Sequence, residues 1–95
     1  MANGYWVARV DVEDMETYKK YVAGVAAVMA KFGGAFLVRA GQFEAVEGQS
    51  RARNIIATFE SYDKALECWN SDEYQELKKI RTSASTGEII IIEGI

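Results

Sequence analysis

Arg9 and Arg39 are the residues whose type and setting come nearest to chemistry. Arg9 lies inside YWVARVDV (residues 5–12) and Arg39 inside AFLVRAGQFEAV (residues 35–46), both in apolar surroundings. A guanidinium withdrawn from water must meet a carboxylate or an anionic ligand, because an uncompensated buried charge costs several kcal/mol. Two kinds of partner fit: the acid group of a small organic ligand, or the chain's own Asp11, Glu44 or Glu60. Trp6, Tyr18, Tyr21 and Trp69 offer apolar walls with polar tips, which suit a small-molecule pocket and a packed core alike. Tyr74 and Arg81 stand seven residues apart. One helix would put that phenol and guanidinium on the same face, at a cavity mouth or at the surface.

Other chemistries lack their parts. The chain has no histidine and a single cysteine, Cys68, which removes the usual ligand sets for zinc, copper and proximal-histidine haem and forbids an intrachain disulfide. Cys68 sits beside Trp69 without an adjacent base, the setting of a buried packing residue. Ser83 and Ser85 have only Lys78 and Lys79 as nearby bases and read as loop and capping residues. Gly33-Gly34 precedes a strand rather than a helix, so it is no phosphate loop. No catalytic residue, metal site or cofactor is assigned, and the residues name no reaction.

The elements that must position these side chains follow from periodicity. In Tyr5–Val12, Trp6, Ala8, Val10 and Val12 alternate with Tyr5, Val7, Arg9 and Asp11, the period of a strand. Glu13, Asp14 and Glu16 then crowd a turn where a helix N-terminus favours negative charge, with Asp14 as cap. Tyr18, Val22, Val25, Met29 and Phe32 make one apolar stripe, widened by Tyr21 and Val28, and Gly33-Gly34 ends the helix. The string from Ala35 to Val46 has strand composition at both ends with Gly41 as a bulge or bend, and through the polar stretch 47–51 it pairs with RNIIATF (residues 53–59) in an antiparallel hairpin. Ser61 caps a second helix bearing Ala65, Leu66 and Trp69, which breaks near Asn70 or Ser71 and resumes with Tyr74, Leu77 and Ile80. Residues 82–87 read as a loop, and Ile89–Ile92 as a last strand.

This β-α-β-β-α-β order with a split second helix predicts an α+β, ferredoxin-like fold: a four-stranded antiparallel sheet with both helices on one face. Such a sheet should be apolar on one face only. Here the last strand is apolar on both, and Val7, Leu37 and Ile56 fall opposite Trp6, Val38 and Ile55. By the same alternation Arg9 and Arg39 belong with Val7, Leu37 and Ile56. A third layer is beyond a chain this short, so the expected cover is a second copy, giving a homodimer closed through its sheet faces.

Composition agrees. The 95 residues predict a single domain spanning 1–95, and 49% hydrophobic with 26% charged residues is the makeup of a folding globular chain. Eleven basic against 14 acidic side chains leave a net charge of −3 without a basic run, which argues against nucleic acid as partner. No stretch approaches the roughly 20 apolar residues of a membrane span, and the first residues carry no signal-peptide pattern, so no membrane partner and a cytoplasmic location are expected.

The stretches GYWVARVDV, YKKYV, FGGAFLVRAGQFEAVEG, FESYDKALECWNSDEYQELKKIR and IIIIEG together resemble the family called domain of unknown function 1330. That family is similar to the dimeric α/β-barrel superfamily, and the resemblance implies two ferredoxin-like protomers packed sheet to sheet. The superfamily includes muconolactone isomerases, cofactor-independent monooxygenases and haem-using chlorite dismutases. The haem branch depends on an axial histidine, which this chain lacks. The expectations are therefore a homodimer binding or converting a small organic metabolite, carboxylates among the candidates, without metal or haem; a noncatalytic ligand-sensing or structural dimer; or a cofactor-independent monooxygenase or isomerase.

Overall fold

The computed structural model describes residues 2–95. Its elements run β1 (Gly4–Val12), α1 (Met15–Lys31), β2 (Ala35–Arg39), β3 (Arg53–Phe59), α2 (Tyr62–Asn70), α3 (Asp72–Ala84) and β4 (Ser85–Glu93). The strands form one antiparallel sheet in the order β2-β3-β1-β4. This is the ferredoxin-like α+β plan with the second helix in two pieces. No helix among the described residues is long and apolar enough to cross a membrane.

The helices start where their caps dictate. Asp14 accepts hydrogen bonds from the Thr17 amide (3.3 Å) and hydroxyl (2.7 Å), and the stripe Tyr18, Tyr21, Val25 and Met29 buries one face of α1 against the sheet. Gly33 takes the left-handed conformation (φ +76°) that closes the helix, while the Gly34 amide bonds back to the Met29 carbonyl at 2.9 Å. Ser71 produces the break between α2 and α3 by serving both. Its hydroxyl donates to the Cys68 carbonyl (2.7 Å) and accepts from the Tyr74 amide (3.2 Å). Trp6, Val10, Tyr18, Tyr21, Met29, Phe59, Cys68 and Tyr74 form the centre of the core.

Three expectations change. Residues 82–87 are not a loop: α3 continues to Ala84 and β4 begins at Ser85. Hydroxyls that favour turns here bond back onto α3, Thr82 to the Lys78 carbonyl (3.0 Å), Ser83 to that of Ile80 (2.7 Å) and Ser85 to that of Arg81 (2.6 Å). The Ala84 carbonyl, left over at the helix end, accepts the Glu13 and Asp14 amides at 2.8 and 3.0 Å, so no connecting loop is needed.

Second, β2 ends at Arg39. Ala40 turns the chain with a left-handed φ of 55°, and residues 41–50 stand exposed rather than continuing the strand. The last tie to β3 is the Ala40 amide on the Asn54 carbonyl at 3.0 Å.

Third, the bulge lies inside β2, not at Gly41. Phe36 pairs with Ala57, but Val38 pairs with Ile56 and Arg39 with Ile55. One extra residue around Leu37 therefore reverses the alternation. Val38 joins the outer face with Val7 and Ile56 instead of facing the helices with Trp6, and Arg39 moves to the helix side, away from the Val7 face to which strict alternation assigned it. Arg9, opposite Asn54 and Glu88, stays on the outer face as expected.

Candidate functional site

The bulge brings Arg39 to a cavity between the sheet and α1. Its apolar lining comes from β1 (Trp6, Ala8, Val10), α1 (Val22, Val25, Met29) and β3 (Ile55, Ala57), with Tyr18 and Tyr21 on the helix side; its volume is about 40 Å³. At about 10–15 Å³ per enclosed water, this accommodates a few waters or one compact acid. Three guanidiniums line it, Arg39, Arg53 and Arg81, and no carboxylate does. Arg81, near the end of α3, is only 6% exposed; Arg53, first residue of β3, is half-buried; Arg39 is exposed.

These charges are poorly compensated. Among the described residues none of the three joins an ion pair, and the Nε atoms of Arg53 and Arg81 are buried without a hydrogen-bond partner. Each guanidinium lies over an aromatic ring instead: Arg39 over Phe36 at 4.3 Å, Arg53 over Tyr18 at 5.3 Å and Arg81 over Tyr21 at 5.9 Å. Such contacts contribute about 0.5–2 kcal/mol, whereas enclosing an unpaired ion costs several. The cost wins, and the cavity is left electropositive.

Tyr21 and Tyr74 share a buried hydroxyl–hydroxyl bond of 3.0 Å. Burial, followed by the neighbouring Tyr74, pushes the Tyr21 phenol far above its ordinary range. Burial also raises Tyr74, against the opposing pull of the Arg81 charge and of its hydrogen bonds with Tyr21 and with the Arg81 side chain. Both phenols are neutral at physiological pH, and Tyr21 presents a protonated wall to the cavity. Tyr74 is buried rather than at the surface, and it reaches the cavity only through Tyr21 and Arg81. The Trp6 ring lines the cavity while its Nε1 donates to the Ala65 carbonyl at 3.0 Å, so its polar tip serves the fold. Trp69 packs tilted against Tyr74 and edge-on against Trp6, outside the lining.

Arg9 belongs to a different place. On the outer face it donates to the Gln49 carbonyl at 2.9 Å, in an open polar hollow of about 310 Å³ with Asp11, Ser50, Arg51 and Glu88. This hollow is larger but balanced in charge. Arg51 holds Asp11 at 2.8 Å and Glu88 through its Nε at 2.9 Å, and the Ala52 amide adds a bond to Asp11 at 2.9 Å. The Ala52 amide and Arg51 hold the Asp11 carboxyl below its ordinary range; Arg51 does the same for Glu88. Asp11 is thus taken by Arg51, and neither Glu44 nor Glu60 pairs with Arg9 or Arg39 among the described residues. Neither Arg9 nor Arg39 forms a direct ion pair among the described residues, although the Arg9 charge also helps lower Asp11 and Glu88.

Of the residues singled out from sequence, the structure brings Trp6, Tyr18, Tyr21, Arg39 and Arg81 to one cavity and leaves Arg9, Trp69 and Tyr74 outside its lining. Arg53 was missed. A signal existed, because alternation puts Arg53 on the face of Ile55, which already belonged with Trp6.

The chain belongs to the family described as a domain of unknown function, DUF1330, whose model matches residues 3–95. No curated protein matches the chain in sequence. Among solved structures, it is similar to a protein of unknown function from Rhodopseudomonas palustris, with a TM-score of 0.80 and 20% identity over 99% of this chain and 83% of that one. It also resembles a hypothetical protein from Arabidopsis thaliana (TM-score 0.70, 16% identity, 98% and 87% covered). SnoaB, a cofactor-independent oxygenase from Streptomyces nogalater, follows the same plan (TM-score 0.66, 15% identity, 97% and 92% covered). At these identities the likeness is one of fold.

Proposed function

We propose that this protein is a homodimer, closed sheet to sheet, in which each protomer binds a small organic carboxylate in the cavity between its sheet and α1. One observation carries the reading: Arg81, 6% exposed, and Arg53, each with a buried Nε that has no hydrogen-bond partner, line a cavity to which no carboxylate contributes. A ligand acid supplies what the chain omits, and the aromatic and aliphatic lining suits an organic remainder.

The test is native mass spectrometry of protein purified gently from its own host, together with Arg81→Met. An acidic small molecule should be retained by the native chain and lost from the variant, while the thermal midpoint of the empty variant stays level or rises because a desolvation cost is removed. A variant with a lowered midpoint and unchanged ligand content would sink the reading.

Turnover of the bound acid, as by a cofactor-independent oxygenase or isomerase, is the second reading. The Arg81 guanidinium favours it, a cation only 6% exposed in the cavity lining, suited to hold an oxyanion that develops on a bound carbonyl. Incubating the retained molecule with the protein, with and without oxygen, and following its mass separates conversion from storage.

A further inference from the structure

The number and placement of the cavity's cations say more than that an acid binds. Resting on the carboxylate-site reading, we infer that the ligand is a compact diacid, one carboxylate taken by Arg53 and the other by Arg81.

The two guanidiniums are separate anchors. Arg53 comes from the start of β3 and lies over Tyr18; Arg81 comes from the last turn of α3 and lies over Tyr21. The two rings are 5.5 Å apart between centroids, so the anchors belong to one small space without sharing a ring. Each has its own buried, unpartnered Nε. A guanidinium's fork is planar and matches one carboxylate, so two guanidiniums in the lining match two carboxylates.

Charge points the same way. A monoacid neutralises one cation and leaves the other, buried Arg81 or half-buried Arg53, unpaired beside an apolar cavity. A diacid neutralises both, and the third guanidinium, Arg39, is exposed and stacked on Phe36, within reach of solvent. The limited volume keeps the spacer short, and the aliphatic lining leaves it few polar partners.

The experiment is titration calorimetry of the wild-type protein with succinate, malonate, butyrate, propionate and inorganic phosphate. Succinate or malonate should bind about tenfold or more tightly than the monoacid of equal carbon number, since each second carboxylate gains a charge-assisted hydrogen-bonded pair. In Arg53→Met and Arg81→Met that preference should collapse to near unity, because either variant retains one anchor. Butyrate binding as tightly as succinate would overturn the diacid and leave the carboxylate site standing. Phosphate matching the diacids would also overturn it, reducing the site to a general anion trap. If none of the five binds folded wild-type protein, both readings fall. The wild-type series decides these outcomes even if a variant does not fold.

Discussion

Cys68 illustrates how far a side chain's type can stand from its use. Its thiol is fully buried, and burial followed by the nearby Glu73 charge pushes its pKa up to about 12. Only the thiolate reacts, so at pH 8 the reactive fraction is on the order of one in ten thousand, before enclosure slows access further. Alkylation of the native protein at pH 8 should therefore track global opening and speed up in denaturant. Rapid labelling without denaturant would contradict the packing role. This role was legible in the sequence from the absence of any base nearby, as was the pairing of Tyr74 with Arg81 on one face. What a guanidinium meets was not legible. Arg51, never singled out, took both Asp11 and Glu88, because the partner of a charge is decided by the fold of a loop rather than by position along a strand.

Elements were read well where their signals were local. Asp14, Ser61 and Ser71 all cap as their types suggest, and the stripe of α1 is the one its spacing predicts. The misreadings concern signals that tertiary contacts override. A hydroxyl-rich tract looks like a loop until its side chains find helix carbonyls, and Gly41 looks like a bulge although a Cβ there would meet open space. The exposed segment after β2 is held at its far end by Arg51, and that clamp titrates. Asp11 and Glu88 have folded pKa values below their ordinary 3.8 and 4.5. Their contribution is therefore fully present above the ordinary carboxylate range and is lost as pH falls through the depressed folded values. Amide exchange at Ala52, corrected for its intrinsic pH dependence, should rise as the medium is acidified through that range, and Arg51→Met should show comparable exchange already at pH 7. Protection of Ala52 that persists in the variant would remove Arg51 from this role.

At the scale of the whole molecule, the sheet is covered on one side only. Leu37, Val38, Ile90 and Ile92 are exposed on the outer side, at 61, 39, 54 and 49%, with Val7 and Ile56 half-buried among them. Single exposed apolar residues are ordinary, whereas a contiguous group across neighbouring strands is the mark of an interface. The dimer proposed above buries this group. Ile56→Asp should then weaken association by about 3 kcal/mol or more, seen in sedimentation as a shift from dimer to monomer at micromolar concentration. Wild-type protein that sediments as a monomer at that concentration would rule out the sheet-to-sheet dimer. This unsatisfied face was readable from Ile89–Ile92, since four successive isoleucines cannot all point inward. What covers it is a matter on which one chain's periodicity is silent.

The extra residue around Leu37 also acts as a parity bit. Absorbing that residue into the ladder, so that Leu37, Val38 and Arg39 pair in turn with Ile56, Ile55 and Asn54, would restore strict alternation and carry the Arg39 guanidinium through the plane of the sheet, out of the cavity and onto the outer face with Val7, with no substitution at position 39 itself. Relatives that keep this arginine would then divide into two groups by the register of β2 alone, with different charges around the same cavity. Residue-by-residue comparison would score them identical at the position where their ligand preferences part.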